Sequence, residues 1–256
     1  MVKGIDSFRT HFTACNYSYV LIGGTAATLA MKEVGADFRA TKDFDIVLCI
    51  EALDGEFAQT FWEYVKAGGY ENRQKSTGKR LFYRFYAPRN PGFPEMLELF
   101  SRVPDALQIA VDSHLTPIPV GDEVSSLSAI LLNDDYYRLI HERKREVDGL
   151  TIVGPECLIP LKARAYIDFY NRKQAGETID SRDIKKHKND IFRLFAILDP
   201  SEKPTVGAEI QSDLSKAFDL LKNDNIDLNS LGISGTSVSS VLAELKTFYG
   251  LGAASE

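Results

Sequence analysis

The chain has 256 residues, of which 44% are hydrophobic and 26% charged, and this composition predicts a globular protein with a substantial core. Its net charge of −6 argues against a general nucleic-acid binder, since phosphate contacts normally require a basic surface. No apolar run is long enough to cross a bilayer, and the start of the sequence lacks the apolar core of a signal peptide. Cys15, Cys49 and Cys157 lie too far apart for a zinc motif or a disulfide framework, so we expect a cytoplasmic protein.

Strand and helix patterns alternate along the first half of the sequence. Apolar runs predict strands at residues 17–24, 43–50, 81–86 and 96–100, and helical periodicity predicts helices at 26–34 and 56–67. Turn chemistry at 88–92 favours a hairpin between the third and fourth strands. Residues 109–120 read as extended chain broken by two prolines.

Helices dominate the second half. A short strand at residues 150–153 precedes Gly154-Pro155, which predicts the start of a long helix ending near residue 173. Further helices are predicted at 190–198, 212–222 and 238–249. The sequence therefore predicts an α/β domain over residues 1–150 and a mainly helical domain over 151–256.

Two aspartates stand at the beginning of the second strand. Side chains alternate across a strand, so Asp43 and Asp45 are expected to point the same way. Neighbouring carboxylates repel unless a cation or proton lies between them, and Mg²⁺ favours carboxylate and phosphate oxygens. The pair therefore suggests a metal site, although solvated carboxylates at a strand end remain an alternative.

Two further features bear on this alternative. Gly23-Gly24-Thr25 joins the first strand to a helix, where exposed backbone N–H groups allow a phosphate to approach closely. Glu98 interrupts an otherwise apolar strand and therefore needs a cation, a hydrogen-bond donor or a cleft.

Together these residues resemble the nucleotidyltransferase superfamily of DNA polymerase β, and most closely its AbiEii/AbiGii-type toxins. The matching elements are Gly-Gly-Thr at 23–25, Arg-x-Thr-x-Asp-x-Asp at 39–45 and acidic-Leu-Phe at 98–100. A Leu-x-x-Leu-Lys motif falls at 158–162, interrupted by Pro160, and residues 187–190 fit Lys-x-x-Asp imperfectly. The third acid is Glu98, where Asp is commoner.

The resemblance implies an α/β nucleotidyltransferase fold with a mixed sheet. It also implies Mg²⁺-dependent transfer of a nucleotide from an NTP to the hydroxyl of an RNA end or a protein, by a toxin with a cognate antitoxin. Asp43, Asp45 and Glu98 would be the catalytic and metal-binding residues. The nucleotide-binding residues would be Gly23, Gly24, Thr25, Arg39, Lys162 and Asp190.

Several of these residues could instead have purely structural roles. Arg39 could pair with an acidic neighbour, Lys162 could line a domain interface, and Asp190 could cap the helix that follows it. Glu98 could hydrogen-bond to Arg80 or Arg84.

Three basic clusters leave the substrate class open. They lie at residues 143–145, at 185–188, and at Lys79-Arg80 with Arg84. Each cluster is interpreted first as a solvated part of the surface. A cluster that lies close to Asp43 and Asp45 would instead favour a polyanionic substrate. The alternatives are transfer to a small molecule such as an aminoglycoside, or a degenerate nucleotide-binding or interaction module.

Overall fold

The computed structural model describes residues 2–53, 55–72, 83–103, 115–118 and 127–252. A mixed β-sheet runs through this part of the chain. Its strands are β1 (Tyr19–Ile22), β2 (Asp43–Leu48), β3 (Arg84–Tyr86), β4 (Met96–Ser101), β5 (Leu115–Ile118), β6 (Leu127–Leu131), β7 (Lys144–Val147) and β8 (Leu150–Val153).

The sheet order is β5-β6-β4-β2-β1-β8-β7, and β3 pairs with β4 off this path. The β1–β8, β2–β4 and β4–β6 pairs are parallel, whereas the β1–β2, β3–β4, β5–β6 and β7–β8 pairs are antiparallel. Every residue of β1 and β8 is buried, as their mainly apolar sequences predict for strands inside a sheet.

Helices flank the sheet and make up most of the described chain after β8. They are α1 (Ile5–His11), α2 (Gly23–Glu33), α3 (Gly55–Gly68), α4 (Asp134–Arg143), α5 (Pro155–Gln174), α6 (Ser181–Phe195), α7 (Ala208–Lys222) and α8 (Val238–Phe248). Helix α5 packs against both α6 and α7 and also contacts α2. None of the helices described here is both long and apolar enough to cross a lipid bilayer.

One hydrophobic cluster connects the sheet with the helices that follow it. It includes Leu21 of β1, Ile46 of β2, Leu158 of α5, Ile191 of α6 and Leu214 of α7. The predicted mixed sheet and helical second half are therefore confirmed. The domain boundary at residue 150 stays a prediction, and β8, which immediately follows it, pairs with β1.

The structure corrects one predicted helix and adds several elements. Helix α6 spans Ser181–Phe195, so the prediction of a helix at 190–198 began too late. The sequence interpretation also omitted α1, α4, β6 and β7. The hairpin between β3 and β4 is confirmed, whereas most of the predicted extended segment 109–120 lies outside the described residues.

Candidate functional site

Asp43 and Asp45 lie on β2, separated by the buried Phe44. In the sheet, Asp45 is opposite Ile22 of β1 on one side and opposite Glu98 of β4 on the other. Residues directly opposite each other project from the same face of a sheet. The predicted acidic residues therefore share one face, next to the end of β1.

The Gly-Gly turn lies directly against this acidic pair. Helix α2 begins at Gly23, which has a φ of +66°, and a Cβ at this position would be 1.9 Å from Oδ2 of Asp45. A Cβ at Gly24 would be 2.6 Å from Oγ1 of Thr41. A side chain at Gly23 would collide with the Asp45 carboxylate, so glycine is required where α2 begins against β2.

Thr25 connects α2 to the aspartate strand. Its side chain is fully buried, and its hydroxyl donates a 3.0 Å hydrogen bond to the backbone carbonyl of Asp43. The hydroxyl is thus engaged within the protein, and a phosphate contact from Thr25 would come from its backbone N–H.

Asp190 is the centre of a buried charge network. It accepts hydrogen bonds from Nε and Nη2 of Arg39 at 3.1 and 2.8 Å, and Nζ of Lys162 lies 3.2 Å from its Oδ2. Nη1 of Arg193 lies 3.4 Å from Oδ1. Arg39 therefore pairs with an acidic residue, which was the alternative to a phosphate-binding role for it. Lys162 has the same partner, Asp190.

The interpretation of Asp190 as a helix cap was wrong. It lies inside α6. The N-cap of this helix is Asp180, whose side chain accepts a hydrogen bond from the backbone N–H of Arg182. The first turns of α6 are largely exposed and polar, so they lack the apolar periodicity that marks a helix in sequence.

The charges around the carboxylates shift several pKa values. Burial, with Glu98 and Asp43 nearby, raises the pKa of Asp45 to about 6 against the opposing effect of Lys162. Burial also raises the pKa of Asp43 and lowers that of Lys162. Burial opposes ionisation of Asp190 too, but Lys162 and Arg39 hold its pKa below the usual value.

The structure adds Lys186 and His187 to the neighbourhood of the site. The positive charge of Lys186 partly opposes the rise in the pKa of both Asp43 and Asp45. The His187 ring stacks on Phe169 at 5.3 Å, and burial, with Lys162 and Lys186, lowers its pKa to about 3. The basic run at 185–188 was visible in sequence, but helix α6 decides which of its members face the carboxylates.

Glu98 pairs with Arg84, one of the two arginines that the sequence offered as its partners. Nε of Arg84 donates a 2.6 Å hydrogen bond to Oε1 of Glu98, and Nη2 contacts the same oxygen. The Glu98 side chain is 12% exposed and that of Arg84 is 43% exposed. Arg80 lies outside the described residues.

The acidic pair fits a hard cation in its chemistry. Mg²⁺ in proteins is commonly held by one or two carboxylates together with substrate phosphates, and Asp43 and Asp45 supply such carboxylates beside the glycine turn at the start of α2. Across the described ranges, no group of three or more His, Cys, Asp or Glu side chains is arranged to hold a metal ion. Glu98 as a third metal ligand therefore stays a prediction.

The cluster at 143–145 contains two arginines with carboxylate partners. Nη1 of Arg143 lies 3.0 Å from Glu202, and Arg145 donates a 2.8 Å hydrogen bond to Glu33. These contacts agree with the interpretation of a solvated surface cluster. Lys79 and Arg80 of the third cluster lie outside the described residues.

The similarity of this chain to known proteins is weak. No family model and no curated protein matches the chain. Among solved structures, it is similar to an antigenic nucleotidyltransferase-like protein from Paracoccidioides brasiliensis, with 15% identity and a TM-score of 0.47. The similarity covers 95% of this chain and 94% of that one. A resemblance at this identity and TM-score carries no argument about this chain.

Proposed function

We propose that this chain is a Mg²⁺-dependent nucleotidyltransferase that moves a nucleotide from an NTP to a hydroxyl group. The observation that carries the proposal is the contact between the glycine turn and Asp45. A phosphate-binding turn and a metal-binding carboxylate serve one reaction only if they lie together, and the space for a Cβ at Gly23 is filled by the Asp45 carboxylate.

The residues of the site divide into two groups by their chemistry. The backbone N–H groups of Gly23, Gly24 and Thr25, at the start of α2, would bind the triphosphate. Asp43 and Asp45, with Glu98 beside them, would hold Mg²⁺, which when bound supplies positive charge to the phosphate oxygens.

The proposed reaction is one displacement at the α-phosphorus. The acceptor hydroxyl oxygen bonds to the α-phosphorus, the bond to the β-phosphate bridging oxygen breaks, and pyrophosphate leaves. Glu98 would accept the hydroxyl proton. Lys186 would place positive charge close to the acidic pair, and Arg39 and Lys162 would support the nucleotide site through Asp190.

The acceptor and biological role follow the sequence resemblance to AbiEii-type toxins. We propose transfer to an RNA end or a protein hydroxyl by a cytoplasmic toxin that is held in check by an antitoxin. The Glu98–Arg84 ion pair favours one alternative, a nucleotide-binding module without transfer, because it engages one oxygen of the third carboxylate. Transfer to an aminoglycoside-type small molecule is the other enzyme alternative.

A transfer assay with binding controls tests this proposal. Labelled ATP, GTP, CTP and UTP would be incubated with Mg²⁺, total RNA and the protein, using wild type, Asp45→Asn and the surface control Asp168→Asn. We expect label in RNA or protein that is lost only in Asp45→Asn. Mn²⁺ binding, followed by electron paramagnetic resonance, should be lost in the same variant.

Two results would contradict it in different ways. Nucleotide and Mn²⁺ binding without label on RNA or protein would support the binding-module or the small-molecule alternative. A folded wild-type protein that binds neither nucleotide nor Mn²⁺ would rule out both enzyme readings.

A further inference from the structure

Arg84 ends a row of side chains that crosses the candidate site. Ile22 of β1 is opposite Asp45 of β2, Asp45 is opposite Glu98 of β4, and Glu98 is opposite Arg84 of β3. Strand β3 pairs with β4 on the side away from β2. Because neighbouring strands are about 4.8 Å apart, the backbone of Arg84 lies roughly 14 Å from that of β1 and the glycine turn.

The guanidinium of Arg84 is held in place but still open to a ligand. Both of its contacts with Glu98 use one carboxylate oxygen, Oε1, and engage Nε and Nη2. A guanidinium has five N–H donors, so Nη1 takes part in neither contact. Because the Arg84 side chain is 43% exposed, a ligand in solution can reach part of it.

Tyr83 supplies a second feature of this edge. The Arg84 guanidinium carbon lies 5.9 Å from the centre of the Tyr83 ring, which is partly exposed. A fixed arginine next to an aromatic ring is suited to a phosphate joined to a stacking base.

We propose that Arg84 binds a phosphate group of the acceptor substrate, with Glu98 as its positioning residue. This inference rests on the proposed nucleotidyl transfer. In-line displacement puts the attacking and leaving oxygens on opposite sides of the phosphorus. If the triphosphate lies against the glycine turn, pyrophosphate leaves toward α2 and the acceptor enters from the side of Glu98 and Arg84.

The charge of Arg84 selects among the acceptors. Its N–H donors suit an anion rather than a cationic small molecule, and a chain that carries phosphate beside its terminal hydroxyl supplies one. The end of a single-stranded polynucleotide has this chemistry, with a phosphate on the nucleotide that bears the hydroxyl and a base to stack. A protein hydroxyl offers no such phosphate.

Arg145 provides a matched control for Arg84. Its side chain is 42% exposed and it forms an ion pair with Glu33, so it resembles Arg84 in exposure and partner but belongs to β7. Binding of a fluorescent single-stranded RNA would be measured by anisotropy for wild type, Arg84→Gln, Arg84→Lys and Arg145→Gln. ATP binding would be measured separately by calorimetry, and folding by circular dichroism.

We expect Arg84→Gln to weaken RNA binding about tenfold and to reduce the slope of log affinity against log salt by about 0.7, the value for one phosphate on a single strand. Arg84→Lys should fall between Arg84→Gln and wild type, because it keeps the charge but loses the planar fork. Arg145→Gln should bind RNA like wild type, and ATP affinity should not change in either glutamine variant.

Three outcomes would overturn the inference: equal effects of Arg84→Gln and Arg145→Gln on RNA, loss of ATP rather than RNA affinity in Arg84→Gln, or no RNA binding by wild type. Failure of the proposed function is recognised separately. In that case wild type lacks transfer and ATP binding, whatever the RNA measurements show.

Discussion

Arg39 and Asp190 join two distant parts of the chain through hydrogen bonds of 2.8 and 3.1 Å. Arg39 precedes β2, the strand that carries the aspartates, and Asp190 lies in α6. Because Lys162 of α5 contacts the same carboxylate, Asp190 fixes the approach to β2 against the two helices. The network therefore ties the segment that leads into the aspartate strand to α5 and α6.

Replacing Asp190 with Asn should destabilise the protein strongly. The substitution leaves the buried Lys162 ammonium, 6% exposed, and the Arg39 guanidinium without their common counter-charge. Breaking one partner of a buried ion pair typically destabilises by about 3–5 kcal/mol. Urea unfolding of Asp190→Asn and wild type at neutral pH measures the difference.

The double variant Asp190→Asn with Lys162→Met controls for this interpretation. Removing the lysine charge together with the carboxylate should recover part of the lost stability, because one unpaired buried charge is then absent. Additive losses in the double variant would show that Lys162 and Asp190 do not interact energetically.

Much of the fold was accessible from local sequence patterns. Strands β1 and β8 are mainly apolar and buried throughout, whereas in β2 and β4 the half-buried positions include the acidic residues Asp43, Asp45 and Glu98. Strand β7 was missed because it lies at the edge of the sheet and reads as charged, Lys-Arg-Glu-Val. Asp148-Gly149, both with positive φ, was a usable hairpin signal at its end.

Some features of the candidate site follow from local sequence, whereas others depend on tertiary structure. Alternation along one strand places Asp43 and Asp45 on one face, so their proximity needs no tertiary information. The partners of Glu98 and Asp190 depend on strand register and helix packing. Two arginines were possible partners for Glu98, and only the pairing of β3 with β4 brings Arg84 opposite it.

Gly23→Ala should disturb the position of the Asp45 carboxylate more than it disturbs the fold. An added methyl would lie 1.9 Å from Oδ2 of Asp45 and would displace it, so we expect Mn²⁺ and ATP binding to fall at least about tenfold. Gly35→Ala is the control, since Gly35 has a similar φ of +70° but nothing within 4 Å of its added Cβ.

Both alanine variants should lose about 1–2 kcal/mol of stability through the left-handed backbone. Only Gly23→Ala should lose ligand binding, as measured by electron paramagnetic resonance and calorimetry. Normal Mn²⁺ and ATP affinity in a folded Gly23→Ala protein would contradict a role for this contact.

His187 should make the protein less stable in acid. Its folded pKa of about 3 keeps the ring neutral, whereas in the unfolded chain it takes up a proton below a pKa of about 6.5. The unfolding free energy should therefore fall as the pH decreases from about 6.5 toward the folded pKa, by up to about 1.4 kcal/mol per pH unit from this group.

His187→Phe isolates this contribution because it keeps an aromatic ring against Phe169 and removes the titration. Urea unfolding of both proteins between about pH 7 and about pH 5 should show a smaller acid-side loss in the variant. Parallel stability curves would mean that His187 titrates alike in the folded and unfolded states.

Lys186→Gln should weaken nucleotide binding. Lys186 is the member of the basic run at 185–188 whose charge acts on both Asp43 and Asp45, so a triphosphate bound there would lie within its field. We expect about a fivefold loss of ATP affinity at low ionic strength and a smaller loss as salt screens the charge.

Lys185→Gln provides the comparison, because Lys185 is the exposed neighbour in the same helix. This variant should bind ATP like wild type. Calorimetry with ATP and Mg²⁺ at two salt concentrations measures both variants. Equal losses in the two would mean that net charge, rather than the position of Lys186, determines the affinity.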